Sequence, residues 1–141
     1  MKNKFLFGFL FFLWSCNSNP EFDNAERLKA RLFLEVIEYD NQSARLSNSQ
    51  KAFGKISLND IAKILELQKL ALLKAEEIPT DILQKMHKDL EPNFKKYMKG
   101  LRLRINNLET GNITNEMEGS RLVDEWVDWY GVHGKKIKIP K

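Results

Sequence analysis

One cysteine, two histidines, four prolines and seven glycines are all that 141 residues hold of the types that staple, ligate or bend a chain. A single cysteine excludes an intramolecular disulfide framework. The histidines, His87 and His133, are preceded at three residues by Gln84 and Tyr130. Neither therefore makes the Glu-x-x-His pair with which helical bundles hold carboxylate-bridged metals. A Cys-x-x-Cys-His haem attachment, a glycine-rich phosphate loop, a nucleophile elbow and zinc spacings are all missing. The acid pairs Glu76-Glu77 and Asp124-Glu125 are sequence neighbours, which face different ways on a helix and read as solvated charge. The expectation is a non-enzymatic chain with no metal and no cofactor.

The longest apolar run lies at the start. Lys2 and Lys4 precede Phe5-Leu6-Phe7-Gly8-Phe9-Leu10-Phe11-Phe12-Leu13, and Leu13-Trp14-Ser15-Cys16 closes the run. A positive leader followed by an apolar stretch of this size has the layout of a secretory signal. At about 1.5 Å per residue it falls short of a bilayer core of roughly 30 Å. Leu13-x-Ser15-Cys16 resembles the lipobox of bacterial lipoproteins, with Trp14 where that family carries a smaller residue. The resemblance covers only these first residues. It implies cleavage before Cys16, a covalent lipid (diacylglycerol and palmitate) on Cys16, and a cell-envelope address. Asn17 after the cysteine points to the outer membrane in a Gram-negative envelope. The expected division is a signal peptide at 1–15, lipidated cysteine and tether at 16–20, a helical domain at 21–134, and a basic tail at 135–141. Removing the signal takes away two lysines and no acids, so the net charge falls from +4 to +2. That balance gives no nucleic-acid footprint.

Beyond residue 20 the apolar spacing is helical throughout. Helix one is expected from about Glu21 to Phe53, on a stripe of Leu28, Leu32, Val36, Tyr39, Ser43, Leu46, Gln50 and Phe53. Asp23 or Asn24 can cap it and Gly54 can stop it. Its polar half, Asn41 to Gln50, is a place where it can break. Helix two is expected over Leu58 to Glu77, with Ser57-x-x-Asp60 as its start signal and Ile61, Ile64, Leu65, Gln68, Leu72 and Ala75 as its stripe. For the third, Leu83, Met86, Leu90, Phe94, Tyr97, Leu101, Ile105 and Leu108 hold one face across Pro92. The expectation there is a single long helix kinked at the proline. Helix four covers about Asn115 to Tyr130, with Met117, Leu122, Val123, Trp126, Val127 and Tyr130. Short connections between such helices predict an all-α, up-and-down four-helix bundle, with the long pair overhanging the short pair unless the chain folds back.

Two surface features remain. Helix three carries Lys85, Lys88, Lys95, Lys96, Lys99, Arg102 and Arg104 against Asp89 and Glu91, a net +5. Lys95, Lys99 and Arg102 share one face by spacing. The following stretch sets Arg121 against Glu109, Glu116, Glu118, Asp124, Glu125 and Asp128, a net −5. Antiparallel packing would let these charges answer each other; a free basic face would instead meet an acidic partner or an anionic membrane. The second feature is Trp126, Trp129 and Tyr130 followed by a tail with Lys135, Lys136 and Lys138. Aromatics at this spacing usually fill a core, and the alternative is an anchor beside a basic tail whose Lys-Ile alternation can add as a strand to a partner's sheet. The functional expectation is a lipid-anchored module that binds an envelope protein, as an assembly, accessory, immunity or exclusion factor. Its rivals are a membrane-surface protein on anionic lipid, and a ligand carrier or enzyme with a pocket near the helix-four aromatics.

Overall fold

The computed structural model describes residues 21–53 and 57–141, and within them the chain is helical, with no strand. Five α-helices follow in order: α1 Asn24–Phe53, α2 Leu58–Glu76, α3 Thr80–Met86, α4 Leu90–Thr110 and α5 Ile113–His133, then a 3-10 turn at Gly134–Lys136. Cys16 and the tether, the Gly54 stop, and the side chains of Gln50 and Phe53 lie outside the described part. Among the described residues, no helix is long and apolar enough to cross a membrane.

Local chemistry sets the ends. Asp23 starts α1: its carboxylate accepts from Glu26 N while Glu26 Oε2 accepts from Asp23 N, each at 2.9 Å. Ser57 and Asp60 do the same for α2, at 3.1 and 3.3 Å, so Asp serves where a capping box more often has Glu. Asn112 accepts from Thr114 N and Asn115 N to begin α5. Gly111 ends α4 at φ +74°, a left-handed conformation that glycine enters without steric cost.

The single kinked third helix is not what forms. The chain breaks at His87, whose backbone is extended (φ −163°, ψ 135°), leaving α3 and α4 as separate helices. An interior proline would crowd the carbonyl four residues back. Starting α4 at Leu90 places Pro92 in the first turn instead, where its missing N–H has no helical partner to lose. The stripe keeps its phase because Met86 and Leu90, both buried, stay four apart across the break. α1, by contrast, is unbroken through its polar half: 30 residues, about 45 Å. The α2–α3–α4 corners absorb the overhang, and α3 covers the first turns of α1 through Lys85–Glu26 at 2.7 Å.

Ion pairs at the rims mark how the helices run. Lys29–Glu77 and Lys74–Glu35 set α1 antiparallel to α2, and Lys69–Glu109 with Arg102–Glu76 set α2 antiparallel to α4. α4 and α5, joined by Gly111-Asn112, cross at Gly100 and Gly119. A Cβ on Gly100 would stand 2.9 Å from Gly119 O, so only bare backbone allows this approach. The core sits toward the end that holds α3. There Ala30, Phe33 and Val36 of α1 meet Leu90, Phe94, Tyr97 and Leu101 of α4, with Trp126 of α5. Phe33 lies 5.4 Å from Phe94 and 6.2 Å from Trp126, ring centre to ring centre. Three stripe assignments are corrected: Leu28 is 67% exposed, its place taken by Phe33 and Ala30, and Met117 and Val127 are 73% and 52% exposed.

Candidate binding site

Three surfaces carry the residues that stood out in the sequence. Trp126 is buried and central, within 5.3 Å of Tyr97 and 5.5 Å of Phe94. Trp129 and Tyr130 are half-buried and stack on it. The aromatics are thus core and its rim. Trp129 also lies against both histidines, 4.9 Å from His133 and 5.5 Å from His87, whose rings are 5.7 Å apart. His87 Nδ1 accepts from Asp89 N at 3.2 Å, helping to turn the chain from α3 into α4. Packing alone brings these two side chains together. Among the described residues, no group of three or more His, Cys, Asp or Glu gathers in a way that would hold a metal ion.

The basic face of α4 is largely answered. Lys95 pairs with Glu91, Arg102 with Glu76 of α2, and Lys96 with Glu125 of α5 at 3.5 Å. Hydrogen bonds from Lys95 and Gln84 hold the Glu91 carboxyl below its ordinary range. A hydrogen bond from Arg121, helped by the charges of Arg121 and Lys99, does the same for Glu118. The charge blocks of α4 and α5 therefore meet partly across the helices, and partly each within its own helix.

The C-terminal segment is neither strand nor loose tail. Lys138 N donates to Met86 O at 3.0 Å, Ile137 is buried, and Ile139 packs against the core. Lys135, Lys136, Lys138 and Lys141 are left exposed. With Glu21, Phe22 and Arg27, residues 137–141 line a depression of about 700 Å³. The beginning and end of the described chain thus share one end of the molecule. Glu26 at that end is held below the usual carboxylate range by its hydrogen bond from Lys85.

Toward the other end lies a polar cleft of about 340 Å³ between α1, α4 and α5. α1 contributes Asp40, Ser43 and Ser47, α4 contributes Arg104, and α5 contributes Glu116 and Asp124. Behind it the Tyr97 hydroxyl is fully buried and has no hydrogen-bond partner; neither has Arg104 Nε. Tyr97 faces Asp40 without reaching ordinary hydrogen-bonding geometry. Burial first, and the Asp40 charge second, push its phenol well above the normal range. Burial likewise raises the Asp40 carboxyl, with Tyr97 and Arg104 pulling it back. Glu116 is engaged at both oxygens, by Asn107 at 2.9 Å and Ser120 at 3.0 Å. Arg104 reaches this place over Gly119, where a Cβ would stand 2.8 Å from its Cγ. By spacing, Arg104 counts with the basic face, and nothing in the sequence marks Gly119 as the place it crosses. The signal available in sequence was Ser43, a polar residue within the inward stripe of α1. Comparison of the chain with protein-family models, with curated proteins and with solved structures gives no match.

Proposed function

We propose that this is a lipid-anchored envelope protein whose mature part is an up-and-down four-helix bundle acting as a non-catalytic protein-binding module. The carrying observation is the shared end of Phe22 and residues 137–141. A lipid on Cys16 would be joined to Glu21 by residues 17–20, at most about 14 Å of extended chain. The end with Lys135, Lys136, Lys138 and Lys141 then faces the bilayer, where anionic headgroups favour clustered lysines. The opposite end, with the polar cleft, is presented outward. It also carries Leu58, Ile113 and Met117, which are 86%, 73% and 73% exposed. Large apolar side chains left in water at one end suit a partner protein more than a lipid surface. The basic face of α4, with Lys95, Lys99 and Arg102, is the weaker candidate because two of the three are already paired.

The test is photo-crosslinking in the native cells from a reactive residue at Met117 and, separately, at Lys136, combined with fatty-acid labelling of wild type and Cys16→Ala. The expected result is a discrete protein adduct from position 117, none from 136, and a label that needs Cys16. A label on both forms removes the anchor. Adducts from neither position, with salt-labile binding to anionic vesicles, would replace partner binding by the membrane-surface reading.

A further inference from the structure

We infer that the cleft between α1, α4 and α5 is a binding site for a small zwitterion of amino-acid size, its carboxylate on Arg104 and its ammonium on Asp124 and Asp40. This goes beyond the partner-binding reading and stands whether or not the chain carries a lipid. The charges point to it first. Neither Arg104 nor Asp124 forms an ion pair with another described residue, although both line one cleft. Every other arginine of α4 and α5 is paired: Arg102 with Glu76, and Arg121 with Glu118 and Glu125. A half-buried guanidinium with an unpartnered Nε is costly unless something accepts from it.

The second observation is independent of charge. Tyr97 is fully buried in an aromatic cluster that needs no hydroxyl, yet its oxygen lies behind the cleft against the Asp40 carboxylate, without a hydrogen bond of ordinary geometry. The unmet donor at Arg104, beside the carboxylates of Asp40 and Asp124, suits a ligand with an acid at one end and an amine at the other. The hydroxyls of Ser43 and Ser47 line the α1 wall between them. The three acids Asp40, Glu116 and Asp124 outnumber the one arginine, which disfavours a simple anion. At about 340 Å³ the cleft is at the small end of ligand sites, about 300–1,000 Å³.

The experiment is isothermal titration of the full chain, purified in detergent, with a panel of free L-amino acids. For each that binds, the N-acetyl form and the amide form follow, so that each charge is removed in turn. Saturable binding of at least one free amino acid is expected. Blocking either end should weaken it by about tenfold or more, the loss of one charge-assisted hydrogen bond. Arg104→Gln should abolish the preference for a free carboxylate. Asp124→Asn, at an exposed position that cannot disturb the core, should abolish the preference for a free ammonium. Tyr97→Phe should weaken binding several-fold while the helical circular dichroism is unchanged. The inference is overturned if no amino acid gives saturable heat up to about 10 mM, a dissociation constant beyond which binding is under about 3 kcal/mol. It is equally overturned if the blocked forms bind as well as the free one, or if Asp124→Asn and Arg104→Gln bind like wild type.

Discussion

The two halves of α1 face inward along one continuous stripe, yet they are chemically opposite. Phe33 and Val36 are buried among aromatics, and Asp40, Ser43 and Ser47 continue the same three- and four-residue spacing into the polar cleft. The helix does not register the change; it runs unbroken through both halves. Helical phase and core chemistry are therefore separable. A helix needs its inward side chains to suit what they meet, and small hydroxyls lining a cleft serve as well as rings packed in the core. The aromatic half holds the molecule together, and the polar half is free to carry binding chemistry. A similar division runs through α4, where Phe94 and Tyr97 belong to the ring cluster and Arg104, two turns on, to the cleft.

Three measurements would break or sharpen that division. Phe33→Ala removes a side chain with no exposed surface that touches Phe94, Trp126 and Tyr130. It should cost about 3–5 kcal/mol in urea denaturation, and a loss below about 1 kcal/mol would mean the ring cluster is not the stabilising half. Gly100→Ala, at the crossing between the halves, puts a methyl 2.9 Å from Gly119 O and 3.0 Å from Leu122 Cβ. Because a backbone oxygen cannot move aside alone, α4 and α5 must separate, at about 1–3 kcal/mol in the same assay.

The smallest effect belongs to the cleft. Burial raises the Asp40 carboxyl above its unfolded value, so the folded state takes up its proton first. This group's contribution to stability is therefore largest below the unfolded value and is lost as pH rises through the raised folded value. Asp40→Asn should flatten that part of the pH–stability profile and slightly raise the melting temperature at neutral pH. A variant less stable than wild type at pH 7 would show that the charge of Asp40 stabilises the fold through Arg104.

Much of the helical plan was legible before folding was considered. Leu83, Met86, Leu90, Phe94, Tyr97, Leu101 and Ile105 were marked by spacing alone and are all buried. Ser57 with Asp60 is a local device, acting over three residues, whereas the Asn112 cap starts α5 at Ile113, two residues before the start expected from spacing. Other features were not legible in one dimension. The His87 break leaves the spacing of buried residues unchanged, so the stripe on either side conceals it. The true centre of α1 at Phe33 was missed because Leu28 and Leu32 offer an equally regular flank.

Sequence alone thus determined that the chain is helical, where most helices begin and end, and which side of α4 is apolar. These follow from capping, φ preference and a 3.6-residue period, all of them short-range. Only the tertiary structure decided that Asp40 and Arg104 share one cleft with Tyr97 behind it, that His87 meets His133, and that Gly100 and Gly119 are a crossing point. A polar side chain on a helix looks the same in sequence whether it faces water or another helix. What distinguishes the cases is the neighbour, and a neighbour some sixty residues away is supplied by packing.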